Sequence, residues 1–198
     1  TDISFLGYTL TNALIFSGLF AFLSGSSFVL IDFLGVKPEY FGLFFACIVV
    51  GYVAGNLTAV RLGSRLVPDQ ILVRGLTIAV VGGATMAGLA IAEIYSIWAV
   101  ILPQALFMVG VGMVLPQTMA GAMANFPHMA GSASALFGFT QMAVAALAGV
   151  LVGHLHDGTS LVMATIIATC AAAALASYML LVQRYPATGF ESQSVSTR

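Results

Sequence analysis

The residues best equipped for covalent chemistry gather in two places. Gly131-Ser132-Ala133-Ser134 has the form of a serine nucleophile between small neighbours, and His154-Leu155-His156-Asp157 follows it. A serine is activated only by a base within about 3 Å. His154 stands 20 positions beyond Ser134 on what reads as one continuous helix, a separation of about 30 Å. The stretch from 160 to 183 contains no histidine, so no second helix supplies the base, and hydrolysis is excluded. The His-Leu-His-Asp run offers a metal only a few adjacent groups, whereas a structural site wants four well-placed ligands. It reads as an exposed polar cap, and the sequence implies no metal and no cofactor. Cys47 and Cys170 lie in apolar runs 123 positions apart and behave as small apolar residues.

What remains is a set of amides in otherwise apolar sequence: Asn12, Asn56, Gln104, Gln117 and Gln141. Amide side chains are costly in hydrocarbon and usually face protein or a watery path. Helical spacing gives them company. Tyr8, Asn12 and Phe16 recur every fourth residue; Gln104, Phe107, Met108 and Val111 share one face; Ser134, Phe137 and Gln141 share another. Aromatic and thioether surface with a few amides suits a bulky, weakly charged ligand. Tyr8, Asn12, Phe16, Gln104, Phe107, Met108, Phe137 and Gln141 are therefore candidates for contact with a small hydrophobic substrate. The same pattern also serves helix–helix packing with interhelical hydrogen bonds, and the sequence leaves both readings open.

The elements that position these residues must lie in a lipid bilayer. The chain is 60% hydrophobic and 7% charged, against about 25% charged for a soluble domain. Its net charge of −1 points to no nucleic-acid partner. A spanning helix needs about 20 apolar residues, and six such runs occur, at about 4–24, 40–60, 75–92, 97–123, 131–153 and 160–183. They are too long for strands and lack period-two alternation. The chain is thus expected to form an all-α membrane bundle over 1–184, with a disordered cytoplasmic tail over 185–198. Six spans put both termini on one side, together with Arg61, Arg65, Arg74, Arg184 and Arg198; Lys37 alone lies opposite. That bias predicts cytoplasmic termini. The sequence begins at Thr1 without a methionine, and the expectation is a piece of a longer chain.

Spans one, two, four and five carry amides within their apolar runs, span three carries none, and span six has only Gln183 at its last position. The repeat has a period of three helices, so its second copy is inverted in the membrane. A 3+3 inverted repeat is the plan of each half of a major facilitator transporter. Small residues form stripes, Gly51-Gly55-Ala59 on span two and Ala145-Gly149-Gly153 on span five, which let backbones approach. Pro103 and Pro116 in span four remove backbone donors and can kink it.

Two segments carry a family resemblance. Arg61-Leu62-Gly63-Ser64-Arg65 is similar to the end of the cytoplasmic loop motif of the major facilitator superfamily, with Asn56 at the motif's first Gly and Val60 at its Asp. Without that acid, Arg61, Gly63 and Arg65 suit a headgroup anchor better than a charge-pair latch. The run Gly112-Met113-Val114-Leu115-Pro116, then Phe126-Pro127-His128-Met129-Ala130-Gly131-Ser132-Ala133-Ser134-Ala135-Leu136, then Gly138 and Gln141, resembles the Bcr/CflA drug-export family near its tenth and eleventh helices. The resemblance implies the C-terminal six-helix half of a proton-driven exporter of hydrophobic antibiotics or metabolites in a bacterial inner membrane, with an N-terminal half, protons and lipid as partners. Proton coupling needs a titratable group deep in a helix. Asp32, Glu93, His154 and Asp157 all fall at helix ends; Asp32 is the one local candidate, and the coupling acid is expected in the other half. A non-transporting scaffold or accessory protein is the alternative, and the amides on four of six spans argue against it.

Overall fold

A computed structural model of the chain describes residues 3–124, 126–155 and 158–184. The expected tail over 185–198 lies outside the described residues, as do Thr1, Asn125, His156 and Asp157. The described chain is helical, with six segments long and apolar enough to cross a membrane. They are α1 (Ile3–Ser27), α2 (Pro38–Gly63), α3 (Pro68–Ile91), α4 (Ile97–Met123), α5 (Ala130–Leu155) and α6 (Leu161–Ser177).

Local sequence explains the boundaries. Pro38 and Pro68 open α2 and α3 at their first positions, where a missing N–H costs nothing and the fixed φ is already helical. The third helix therefore starts at Pro68 rather than at 75, drawing Asp69, Gln70 and Arg74 into its first turns; a helix continues into the headgroup layer after the apolar run has ended. The first span runs on through a wide π-helical turn at Phe28–Phe33, and the sixth through one at Tyr178–Val182. Asp32 thus sits inside a helical turn, exposed at its end. Gly35 and Gly158 take positive φ, 67° and 82°, in the turns that follow, a conformation open to glycine without steric cost. α4 stays α-helical through both Pro103 and Pro116.

The helices pack in two layers. In front, α2 lies on α4, α4 on α1 and α1 on α5, giving the row α2–α4–α1–α5. Behind it, α3 packs on α4, α6 packs on α1, and α3 and α6 pack on each other. Exchanging α1, α2 and α3 for α4, α5 and α6 returns the same set of neighbours, which is the 3+3 repeat expressed as packing. At the end of the bundle that holds Lys37, Phe33 meets Tyr95 edge-on at 5.0 Å and Phe44 meets Trp98 at 6.1 Å. Aromatics at this depth form the belt typical of a membrane–water boundary.

Close approach of backbones holds the front row together. The buried face of α2 is Ile48, Gly51, Gly55 and Ala59. A Cβ on Gly51 would sit 2.5 Å from the Ala105 carbonyl oxygen, and one on Gly55 would collide with the Val109 carbonyl. The α5 stripe is used in part: Ala145 is buried, Gly149 abuts the Ser24 hydroxyl, and Gly153 has open space around it.

Candidate functional site

The candidate residues separate into two groups by depth in the bundle. Tyr8, Asn12, Gln104, Phe107, Met108 and Phe137 are buried, with Gln104 and Phe107 wholly inaccessible. Phe16 and Gln141 are half-buried.

Phe107 is a packing wedge. Its ring tip would lie 2.6 Å from a Cβ on Gly18 of α1, and its backbone N would lie 2.6 Å from one on Gly82 of α3. Two glycines on two helices make room for one phenylalanine. Gln104, one turn away, has no hydrogen-bond partner on Nε2 or Oε1 among the described residues, and the Asn12 Oδ1 has none either. Gly18 packs on Phe107 and Gly121 on Tyr8, so α1 and α4 run antiparallel. Asn12 and Gln104 therefore stand at different depths and do not share one concavity.

Phe16 and Gln141 do come level. Gly25 meets Val152 and Gly149 meets Ser24, so the parallel helices α1 and α5 are offset by about 126 positions, and this register sets Phe16 beside the Gln141–Met142 turn. Phe16 also packs on Phe20, ring centroids 5.5 Å apart. Along the same side of α1, Phe5, Thr9 and Asn12 are buried while Phe16, Phe20 and Leu23 are partly or fully open. The α1 surface thus passes from packed at the arginine-bearing end to open at the other.

Arg61, Gly63 and Arg65 are exposed, and Gly63 has nothing within 4 Å of its Cβ position. Val60 occupies the acid position of the loop motif and is exposed as well. No acid pairs with either arginine among the described residues.

Sequence reasoning gave Tyr8 a place on a ligand-facing stripe; the structure gives it a polar partner 61 positions away. Its hydroxyl donates to Asp69 Oδ1 at 3.2 Å, and Tyr178 lines a pocket with the same carboxylate. A Cβ on Gly121 would lie 2.6 Å from the Tyr8 Cζ. One carboxylate therefore ties α1 to α3, with α4 pressed against the ring. Thr11 and Ser177 add a hydroxyl pair at 3.4 Å. A hydrogen bond to a charged group contributes about 1.5–3 kcal/mol. Tyr8→Phe is therefore expected to lower the thermal midpoint of the detergent-solubilised chain. An unchanged midpoint would remove Asp69 from the set of structural ties.

Six apolar helices in two interchangeable triplets, with a front row uncovered on one side, define one half of a major facilitator transporter fold. Comparison with known proteins agrees. The uncharacterized MFS-type transporter YdgK of Bacillus subtilis is 31% identical over 185 residues, covering 92% of this chain and 45% of that protein. The bicyclomycin resistance protein homolog of Haemophilus influenzae is 28% identical over 179 residues, covering 90% and 45%. Multidrug resistance protein D of Escherichia coli is 44% identical over 48 residues, 24% of this chain. No family model matches the chain. The chain spans about half the length of the curated relatives it matches over most of its length. The resemblance to the Bcr/CflA family of the major facilitator superfamily is consistent with these matches and is not confined to the motif around Phe126–Leu136. The protein is a multi-pass membrane protein related to drug-resistance transporters.

Proposed function

We propose that this chain is the C-terminal six-helix half of a proton-driven exporter that moves hydrophobic antibiotics or related metabolites across a bacterial inner membrane, with its arginine-bearing end in the cytoplasm. The observation that carries this reading is the uneven burial of the spans. Only 22% of the apolar stretch of α2 and of α5 is buried, against 61% for α4 and 50% for α1 at the centre of the same row and 44% and 33% for α3 and α6 behind it. The centre of the front row is packed while its flanks are bare, which fits a second half covering the front.

The proposed wall for substrate is the open part of α1 with its α5 neighbour: Phe16, Phe20, Leu23 and Gln141. Flat apolar rings accept many hydrophobic shapes, and one amide at mid-depth supplies a single polar handle. Tyr8, Asn12, Gln104, Phe107, Met108 and Phe137 shape the bundle behind that wall. Proton coupling is assigned to the partner half, since Asp32, Glu39, Asp69 and Glu93 all lie at or beyond the ends of the described spans. The names of the relatives, one a bicyclomycin resistance protein homolog and one a multidrug resistance protein, support a drug-like small-molecule cargo.

The test uses the assembled two-half transporter in cells lacking their own exporters. Phe16→Ala and Gln141→Ala are expected to change the ranking of exported compounds by about tenfold between substrates, the scale of one or two lost contacts, while membrane levels stay constant. Gln104→Leu, deep in the packed interior, should leave the ranking unchanged. The same ranking in all three variants would place the substrate wall elsewhere.

A further inference from the structure

We infer that the pocket between α3 and the end of α6 is a binding site for a zwitterionic phospholipid headgroup carrying a primary ammonium, that is, for phosphatidylethanolamine. The pocket has a volume of about 470 Å³ and is lined by Asp69, Gln70, Val73 and Arg74 of α3 and by Tyr178 and Gln183 from the α6 end. It opens on the back layer, away from the bare front row, so a second half seated on the front leaves it facing lipid. It also lies at the end of the bundle that carries Arg61, Arg65 and Arg184, where spans leave the hydrocarbon.

Asp69 is the second residue of α3 and Arg74 is rooted five positions further along the same helix, its long side chain directed back toward the helix start. The pocket therefore presents a carboxylate and a guanidinium together. A phosphatidylethanolamine headgroup carries the complementary pair, an ammonium and a phosphate. The carboxylate is held in place rather than free to swing: Tyr8 donates to its Oδ1 at 3.2 Å. It remains exposed and keeps lone pairs for the ammonium, an acceptor with up to about four sites holding one hydroxyl. Arg74 has no acidic partner among the described residues, leaving its fork available to phosphate. Gln70 and Gln183 supply amides at the rim, and Val73 an apolar contact. The wide turn at Tyr178–Val182 forms the α6 wall. Choline carries no N–H and cannot bond the carboxylate; glycerol headgroups carry no positive charge. The pocket's chemistry therefore discriminates among lipids through Asp69 and holds their shared phosphate through Arg74.

The experiment is native mass spectrometry of the detergent-purified protein. It is titrated with phosphatidylethanolamine, phosphatidylcholine and phosphatidylglycerol of identical acyl chains. Phosphatidylethanolamine should be retained up to about fivefold more than phosphatidylcholine, the upper end for one solvent-exposed ion pair. Asp69→Asn should erase that preference while leaving phosphatidylglycerol binding in place. Arg74→Gln, which touches none of the tyrosine contacts, should lower retention of all three lipids. Should Asp69→Asn fail to fold, the wild-type lipid ranking and the Arg74→Gln variant decide the matter. Equal retention of ethanolamine and choline lipids by the wild type, or a ranking unmoved by both variants, overturns the assignment. Release of the lipid by millimolar phosphoethanolamine would assign the pocket to a soluble zwitterion instead and overturns the lipid assignment.

Discussion

Gly55→Leu is expected to abolish the folded bundle, while Gly42→Ala on the same helix leaves it intact. The difference lies in what a side chain would meet. At Gly55 a Cβ collides with the Val109 carbonyl oxygen, and at Gly51 one lies 2.5 Å from the Ala105 carbonyl oxygen. Both obstacles are backbone, so neither can rotate aside, and α2 can accept a side chain only by leaving α4. Gly112 makes the reciprocal contact from α4, against the Tyr52 carbonyl oxygen and the Asn56 amide. Overpacking a core costs about 1–3 kcal/mol where side chains can adjust; backbone obstacles place Gly55→Leu at or above the top of that range. The unfolding equilibrium constant should rise by at least about a hundredfold, the ratio that about 2.8 kcal/mol gives, read as a lost monodisperse peak after solubilisation. Gly42 has nothing within 4 Å of its Cβ position, and its alanine variant should stay within about 0.5 kcal/mol of wild type. A monodisperse Gly55→Leu variant with wild-type stability would mean that α2 does not pack on α4 through its glycines.

That contact was legible in the sequence, because small residues every fourth position have one obvious physical use in a membrane. Much of the helix count was legible from the six apolar runs, though not every boundary: the third helix begins at Pro68, seven positions before the apolar run expected at 75. The role of individual polar and aromatic residues was much harder to read. In a soluble protein the polar face of a helix marks solvent. In lipid the outward face is as apolar as the core, so Gln104, Phe107 and Met108 look alike whether they line a cavity or fill the bundle. Phe107 could have been flagged only by pairing it with Gly18 and Gly82, and nothing in a one-dimensional pattern joins those positions. Tyr8 was misleading for a related reason. Its four-residue spacing to Asn12 and Phe16 suggested one continuous lining, but that side of α1 is buried at one end and open at the other. Its partner Asp69 sits 61 residues away in a turn that hydropathy reads as a loop. A carboxylate directly after Pro68, at a helix start, was the available signal.

The central claim is that these six helices form one wall of a transport path and need a second wall to work. The bare flanks of the front row support it. Alternating access arises from two bundles rocking about a site between them. One bundle alone has nothing to rock against, and Phe16, Phe20 and Gln141 would face lipid. The decisive measurement is proton-gradient-dependent export of a hydrophobic dye from proteoliposomes or inverted vesicles, made with residues 1–198 alone and again with a complementary six-helix half. Background export from the chain alone, and export restored by the second half and collapsed by a protonophore, is the predicted result. Gradient-driven export by residues 1–198 as a monomer, at the rate of the paired halves, would contradict it.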